Sequence, residues 1–317
     1  MRIDNSHGYA PSRRTVWLCL FLLLIIWAFN FLVGKIALRY MPALTLASFR
    51  LVLAGIFVLL LYPICRRMPM FSEALATHKQ KRTLNDYWTF LYLAFFGVTV
   101  NQVCFTVGLR YTSVSHSAII VGMGPIYALI LAVLFRLEKA TLRKVLGMSI
   151  ALGGVALMAA GPNVAHRSPT LLGDAITLAG SLGFALYAAL GKRVAARYDA
   201  LTMTAYNFVF GALLVLPIAI QRAIALGPLE NWRAIPRPAW AGMLYMGLLS
   251  STLAYLLYYW LLRYLEVTQL AAYNYLLPVS ATALGILFLG ERGSYLELAG
   301  AAAALAGVYF IEAPRTR

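Results

Sequence analysis

The sequence predicts an all-α, polytopic membrane protein with ten transmembrane helices, arranged as two inverted five-helix repeats. Of its 317 residues, 62% are hydrophobic and only 12% are charged, whereas soluble domains are nearer a quarter charged. A transmembrane helix needs roughly 20 apolar residues, and ten apolar runs of about that length follow one another with short connections. A repeat inside the chain relates the first five runs to the last five.

The predicted spans leave little chain for a soluble domain. They are expected, to within a few residues, at 16–35, 43–65, 88–108, 115–135, 142–161, 170–191, 201–220, 239–262, 268–288 and 295–312. The two halves differ most between their second and third spans. The first half has a basic segment there, at 66–86, and the second has a segment rich in proline and glycine, at 221–238.

The repeat is visible as identical residues at a constant spacing. A shift of 153 residues superposes the later part of each half, and a shift of 157 superposes the earlier part. The matched pairs include Pro125 and Pro278, Glu138 and Glu291, Gly147 and Gly300, Thr99 and Thr252, Arg110 and Arg263, and Gly34 and Gly191. The predicted units are an N-terminal tail at 1–14, a first repeat at 15–161, a linker at 162–169, a second repeat at 170–312 and a C-terminal tail at 313–317.

Five spans per repeat determine how the two repeats are related. Because the number is odd, the second repeat must enter the membrane in the opposite sense to the first. Inverted repeats with broken helices are typical of secondary transporters, whose substrate sites lie near the bilayer midplane. The sequence therefore predicts alternating access by two bundles that rock around a central cavity.

The basic residues orient the chain in the membrane. A net charge of +16 is compatible with nucleic-acid binding, but its distribution favours another explanation. If the N-terminus is cytoplasmic, the inner connections and tails carry more than twice as many lysines and arginines as the outer ones, as the positive-inside rule requires. We expect a plasma (inner) membrane protein with both termini cytoplasmic, an outer linker and no nucleic-acid partner.

Several residues resemble a known family. The five-span unit, Arg50 in the second span, the stretch Gly173–Lys192 and the FLGER motif at Phe288–Arg292 are similar to the EamA family, the ten-helix branch of the drug/metabolite transporter superfamily. The resemblance covers nearly the whole chain. It implies a secondary transporter, often an exporter of amino acids or other small metabolites. It does not identify the substrate, because the family shares one scaffold across many cargoes.

Two prolines interrupt apolar runs near the predicted midplane, Pro125 in the fourth span and Pro278 in the ninth. Each leaves the carbonyl four residues earlier without its helical partner, here that of Val121 or Asn274. At this depth such carbonyls are either buried in protein or exposed to a wet cavity. A packing kink and a cavity-lining hinge are both compatible with the pattern. The predicted hinge residues are Gly122, Gly124, Pro125 and Pro278.

Arg50 is the most informative single residue because it lies well inside the second predicted span. A buried arginine costs at least ~2.5 kcal/mol near a helix centre. Its long side chain could extend to the membrane interface, or it could be a fixed cation for a substrate carboxylate. Its equivalent in the second repeat is Asn207, so both repeats have a polar residue at this position.

Other polar residues within the spans are further candidates for the cavity wall. Tyr255 and Tyr258 share one face of the eighth span, where a packed seam and a binding surface are both compatible with the spacing. The candidate set is Asn30, Gln102, His116, Tyr187, Tyr206, Asn207, Tyr255, Tyr258, Tyr259, Gln269 and Asn274. The abundance of tyrosine would suit a partly aromatic substrate.

Neither a catalytic centre nor a metal site is predicted. Cys19, Cys65 and Cys104 lie in apolar spans without CxxC or histidine spacing, and the sequence lacks HExxH and GxSxG motifs. We therefore predict no cofactor and no enzyme activity, although a membrane-embedded enzyme or a non-transport receptor or scaffold remains the alternative. The lipid bilayer and a small-molecule substrate are the expected partners, and no obligate protein partner is indicated.

The acidic residues give little indication of the energy source. Glu138 and Glu291 follow the fourth and ninth spans' prolines and are interpreted as charges at helix ends. No acid is expected deep within a span. Proton coupling through a midplane carboxylate is therefore unsupported, and the coupling ion stays open.

Overall fold

The computed structural model describes residues 11–67, 83–111, 120–159, 170–277, 279–280 and 294–312, all within an arrangement of helices without strands. Helices in these ranges correspond to all ten predicted spans. They are α1 Arg13–Ala37, α2 Ala43–Cys65, α3 Leu84–Tyr111, α4 Gly124–Leu134, α5 Leu142–Ala159, α6 Leu171–Ala195, α7 Ala200–Leu226, α8 Arg237–Tyr264, α9 beginning with Val267–Ala272, and α10 Tyr295–Glu312. The prediction of an all-α, polytopic membrane protein is confirmed.

Helix length and composition match a bilayer. Six helices, α1, α2, α3, α6, α7 and α8, are long and apolar enough to cross a membrane, and α4 and α10 belong to shorter apolar helices. Large apolar side chains such as Leu18, Phe21 and Leu60 are exposed on the helix surfaces, where lipid rather than water would surround them. The described residues leave out 1–10 of the N-terminal tail, the C-terminal tail 313–317, the linker 162–169, His116, Pro278 and Glu291.

Local sequence signals set several helix starts. The side chains of Ser12, Thr170 and Asp199 accept hydrogen bonds from backbone amides of the first turns of α1, α6 and α7, which satisfies donors that a helix N-terminus leaves unpaired. At its other end α7 extends past its predicted limit at 220 to Leu226. It stops at Gly227, whose φ of 71° favours glycine.

The two repeats pack around a pseudo-twofold axis. Helix α2 packs against its equivalent α7, α5 against α10, and α4 against α9, while α1 packs against α8 as α6 packs against α3. Every major contact therefore either joins equivalent helices or has an equivalent in the other repeat. Combined with an odd number of spans per repeat, this gives the predicted inverted arrangement.

Helices α3 and α8 each contain a π-helical segment that the sequence analysis did not predict. These segments are Ala94–Val100 in α3 and Met246–Leu253 in α8. A shift of 153 residues superposes them almost completely. Wide π turns are rare and occur mostly at functional sites, and their presence in both repeats shows that they belong to the architecture.

Close packing in the core depends on glycine at particular contacts. A Cβ added to Gly97, inside the π segment of α3, would lie 1.8 Å from Cδ2 of Tyr187 on α6. Tyr187 is fully buried, as are Tyr258 and Tyr259 of α8. Glycine at position 97 thus allows the backbone of α3 to contact the tyrosine ring directly.

The α5–α10 pair is held together by small residues. A Cβ on Gly154 would lie 2.5 Å from the amide nitrogen of Ala304 and 2.5 Å from the carbonyl oxygen of Gly300, and a Cβ on Gly307 would lie 2.5 Å from the amide nitrogen of Ala151. The two helix backbones are therefore in direct contact. In lipid, helix association depends largely on such close packing.

Replacing Gly154 with valine should force α5 and α10 apart. Overpacking of this kind costs about 1–3 kcal/mol or more, so we expect a lower melting temperature and a smaller yield of monodisperse protein in detergent. Gly153→Val is the matched control, because a Cβ at Gly153 meets nothing within 4 Å. Equal melting temperatures for the two variants would contradict the close contact between the helices.

Candidate functional site

A cavity of about 110 Å³ lies between α1, α2, α3, α4, α6, α8 and α9. Its size suits part of a small molecule, since drug-sized ligands need roughly 300–1,000 Å³. The lining residues are Trp27, Asn30, Phe31, Arg50, Asn101, Gln102, Phe105, Val121, Gly124, Thr177, Ser181, Phe184, Ser250, Tyr255, Asn274 and Leu277.

The cavity lies on the pseudo-twofold axis, because equivalent residues of the two repeats line it together. Trp27 matches Phe184 at the spacing of 157 residues, and the other pairs follow the spacing of 153. These are Gln102 with Tyr255, Val121 with Asn274, and Gly124 with Leu277. Both repeats therefore contribute the same helix positions to one wall, but with different side chains.

The helix breaks lie at this cavity. Helix α4 begins at Gly124 after a turn at Met123, with Pro125 in its first turn. In α9, a 3₁₀ turn at Tyr273–Tyr275 interrupts the α-helix. The residues predicted to carry released carbonyls, Val121 and Asn274, both line the cavity.

Gly122 has a different environment from the rest of the predicted hinge. A Cβ there would lie 3.2 Å from Cγ1 of Val155 on α5, so this glycine packs helix against helix. Gly124 instead lines the cavity and has open space around its Cα.

Arg50 is buried, with only 3% of its surface exposed, and does not extend to the membrane interface. Its Nε donates a hydrogen bond to Oε1 of Gln102 at 3.0 Å, and its Nη2 donates to the same oxygen. Its Nη1 is buried without a hydrogen-bond partner among the described residues. The guanidinium therefore keeps the N–H groups of Nη1 available at the cavity.

Gln102 accepts hydrogen bonds from both repeats. Its Oε1 also accepts a hydrogen bond from Oγ of Ser251 at 2.9 Å, in the π segment of α8. Its Nε2 is buried without a partner in the described part of the chain. Asn30 has an equally unpartnered atom, the acceptor Oδ1. The cavity thus contains both unused donors and an unused acceptor.

Aromatic side chains satisfy the backbone of the π segments across the repeat interface. The Tyr255 hydroxyl donates to the carbonyl of Gly97 at 3.1 Å, and Nε1 of Trp27 donates to the carbonyl of Ser250 at 3.3 Å. Gly97 and Ser250 are equivalent positions. Each π segment therefore has one carbonyl paired with a cavity-lining side chain of the other repeat.

Most of the remaining wall is aromatic. Trp27 and Phe184 meet edge to face with ring centroids 5.8 Å apart, and Phe31 and Phe105 do so at 5.2 Å. The described lining residues include one cation, Arg50, and no carboxylate. This combination of an aromatic wall and a buried cation suits an amphipathic molecule that carries an anionic group.

Comparison with known proteins assigns the family. Residues 15–160 and 171–313 each match the EamA-like transporter family. The chain belongs to the EamA-like transporter family. As a member it is a membrane transporter and not an enzyme, and the resemblance noted in the sequence is confirmed.

Relatives match this EamA-like transporter over nearly their whole length. A protein of Archaeoglobus fulgidus named as an uncharacterized transporter is 27% identical, with 93% of this chain and 96% of the relative covered. A probable terminal-alkyne amino-acid exporter of Streptantibioticus cattleyicolor is 25% identical, with 94% and 93% covered. A solved crystal structure shares the fold with a TM-score of 0.72 at 15% identity, covering 95% of this chain and 97% of the other.

Some predicted site residues lie away from the cavity of this EamA-like transporter. Tyr187, Asn207 and Tyr258 do not line it and are fully buried in helix packing. Asn207, the equivalent of Arg50, donates instead to the Tyr259 hydroxyl at 3.0 Å. The cavity contains Asn30, Arg50, Gln102, Tyr255, Asn274 and Gly124 from the predicted set, whereas Tyr206 and Gln269 also lie outside its lining.

Several lining residues are not among those predicted from the sequence. Trp27, Phe31, Phe105 and Phe184 were absent from the prediction because only polar groups and tyrosines were considered. One signal was available for two of them: Trp27 and Phe184 are an aromatic pair at equivalent positions of the repeats. Ser250 and Ser251 gave no comparable signal, because their position depends on a π segment.

Glu138 joins α4 to α9 at the end of α4 that is distant from the cavity. Its carboxylate accepts hydrogen bonds from the Thr268 amide at 3.3 Å and the Thr268 hydroxyl at 2.5 Å, and forms an ion pair with Lys144 at 2.7 Å. Its side chain is only 5% exposed. Glu138 is thus a charge at a helix end, as interpreted from the sequence, and its carboxylate caps the first turn of the facing helix α9.

Thr268→Val should weaken this junction while preserving side-chain shape. A hydrogen bond to a charged group contributes about 1.5–3 kcal/mol, so we expect a lower melting temperature in detergent. Thr89→Val is the control, because the exposed Thr89 hydroxyl donates only to a carbonyl of its own helix. An unchanged melting temperature for Thr268→Val would mean that Lys144 alone satisfies Glu138.

Proposed function

We propose that this EamA-like transporter is a secondary transporter that exports small amphipathic metabolites, such as amino acids and related compounds, by alternating access. The observation that carries the proposal is the cavity on the pseudo-twofold axis, with a buried arginine and aromatic walls supplied by both repeats. Substrate sites of inverted-repeat transporters lie at the repeat interface near the midplane.

Arg50 is the proposed anchor for the substrate. A guanidinium in a low-dielectric site attracts a carboxylate strongly, and Nη1 is the donor that the protein leaves unused. The rings of Trp27 and Phe184 would contact the apolar part of the same molecule. Asn30, Gln102, Tyr255 and Asn274 complete the proposed site at the wall.

Rocking of the two repeats would expose the cavity to each side in turn. The broken helices α4 and α9 pack against each other and both reach the cavity, so a change in their contact would open one end of it. Gly124 and Pro125 are the proposed hinge in α4, with Pro278 as the proposed counterpart in α9. Gly122 and the symmetry-related positions outside the wall, Asn207, Tyr187 and Tyr258, are proposed to act in packing the moving helices.

Export from the cytoplasm is supported by a relative. The Streptantibioticus cattleyicolor relative is a probable exporter of an amino acid. The excess of basic residues in alternate connections favours cytoplasmic termini and residence in the plasma membrane. For an exporter in this orientation, the cavity would load from the cytoplasm and release outside.

Cells that overproduce the protein should resist toxic analogues of its substrate, and Arg50→Leu should abolish the resistance. Leucine keeps the apolar surface that contacts the helices but removes the cation from the cavity. A screen of amino-acid and carboxylic-acid analogues, with membrane insertion followed by fluorescence of a fused reporter, measures both effects. Arg39→Leu is the control, because Arg39 is exposed and lies outside the cavity.

Full resistance in cells with Arg50→Leu would remove Arg50 from the mechanism. Absence of resistance to every compound class, together with absence of flux in proteoliposomes with and without a pH gradient, would favour a receptor or scaffold role. The pH-gradient comparison also identifies whether protons drive transport.

Single cysteines at cavity positions should react from both sides of the membrane. Val121→Cys, just before α4, and Leu277→Cys on α9 place a thiol at the wall, in a background lacking Cys19, Cys65 and Cys104. A membrane-impermeant maleimide should label each from the cytoplasmic and from the outer side, at rates that substrate changes in opposite directions. Labelling from one side only, under all conditions, would argue against alternating access.

A further inference from the structure

Building on the proposed transport function, we propose that Gln102 determines selectivity for carboxylates. Its Nε2 and Nη1 of Arg50 together form a two-donor site, called here the anion site, for the carboxylate of the transported molecule. Ser251 is a positioning residue that holds the Gln102 amide in the required orientation. The anion site is assembled from both repeats, because Gln102 lies in α3 and Ser251 in α8.

Three hydrogen bonds fix which end of the amide faces the cavity. Oε1 of Gln102 accepts from Nε of Arg50 at 3.0 Å, from Nη2 of Arg50, and from Oγ of Ser251 at 2.9 Å. A flipped amide would place its NH₂ group against the guanidinium, where donors would face donors. Arginine has no acceptor, so the flipped orientation is excluded and Nε2 remains the free end.

The donors of the anion site are buried and unused. Arg50 is 3% exposed and Gln102 is 2% exposed, and both line the cavity. Nη1 and Nε2 have no hydrogen-bond partner of good geometry among the described residues, and the Tyr255 hydroxyl lies beside the Gln102 amide. Buried donors are almost always paired in proteins, so two of them at one cavity indicate a ligand that supplies acceptors.

The charge of the cavity identifies which acceptor fits. Arg50 is the only ionised side chain among the described lining residues, so a bound carboxylate would leave the loaded cavity neutral. A carboxamide offers one acceptor and no charge, and an amine offers a donor and repels the guanidinium. The adjoining rings of Phe31, Phe105, Trp27 and Phe184 favour an acid with an apolar or aromatic group.

The decisive variant is Gln102→Glu, which changes one NH₂ group into an oxygen. The two oxygens of glutamate can still accept from Arg50 and Ser251, so the bonds between helices persist. The donor Nε2 is lost, however, and the new carboxylate neutralises Arg50. The variant should therefore fold and insert normally while its preference for ligands changes from acids to amines.

Three probes that share a phenethyl group and differ in the polar head test this preference in the purified full-length protein: 3-phenylpropanoate, 3-phenylpropanamide and phenethylamine. In competition and proteoliposome flux assays, the wild type should prefer the acid by at least about tenfold over the other two. Gln102→Glu should bind the acid on the order of 10- to 100-fold more weakly and should bind the amine better than the wild type does. Asn85→Asp is the control for added negative charge, since Asn85 is exposed in the first turn of α3 and lies outside the cavity.

Ser251→Ala provides a second, independent measurement. Without its hydroxyl the amide is less firmly oriented, so the KM for the acid should rise several-fold while the maximal rate is retained. A merely structural role would lower the amount of folded protein and the maximal rate and leave KM unchanged. Ser251→Cys, which keeps a weak donor, should lie between alanine and wild type.

The outcomes separate the anion site from the transport function. If the wild type binds acid and amide equally, prefers the amine or binds none of the three probes, or if Gln102→Glu keeps the acid preference, the anion site is wrong. In each of these cases, resistance of the overproducing cells in the screen would still support the proposed transport function. Failure of transport itself would appear separately, as absence of resistance and of flux for all compound classes.

Discussion

The bond between Arg50 and Gln102 is the interaction on which the centre of this transporter depends. A guanidinium buried within a transmembrane helix is costly unless it finds acceptors, and among the described residues it finds a neutral amide oxygen instead of a carboxylate. The same oxygen accepts from Ser251, so one acceptor joins α2, α3 and α8 and thereby both repeats. Because the pairing is incomplete, the cation is stabilised by the amide oxygen and keeps Nη1 for the proposed ligand. A carboxylate in place of Gln102 would have made a closed, neutral ion pair.

Duplication supplies the frame of the cavity, and divergence between the copies supplies its chemistry. Equivalent positions meet at the axis, yet Gln102 faces Tyr255, and Trp27 faces Phe184. Arg50 reaches the cavity, whereas its equivalent Asn207 is bonded to Tyr259 in the packed interior. The first repeat therefore contributes the charge and most of the amides, the second contributes the hydroxyls, and both contribute rings. A symmetric scaffold thus contains an asymmetric cavity, which fits the proposed substrate with one polar and one apolar end.

Much of this architecture could be predicted because its causes are local or periodic. Span lengths follow from apolar runs, the repeat follows from constant spacing, and Pro125 removes a donor wherever it lies, so the helices and the position of Val121 and Asn274 at a cavity were accessible from the chain alone. The π segments were not, since no residue type demands them. Without knowledge of the π segments, the directions in which the side chains of Gln102, Ser251 and Tyr255 point could not be predicted. The separate fates of Arg50 and Asn207 were equally inaccessible, because they depend on what the neighbouring helices offer.

The π segments also set the rotational phase of everything that follows them in α3 and α8. A π turn holds about one residue more than an α turn, and one residue corresponds to about 100° around a helix axis. In an uninterrupted α-helix with the same first half, Gln102 and Tyr255 would face different neighbours, and the cavity would lose the Gln102 amide and the Tyr255 ring. A one-residue insertion or deletion in either segment would therefore rotate the second part of that helix by about 100° relative to the first. The inherited length of these two turns, as much as the identity of any side chain, decides which residues the cavity presents.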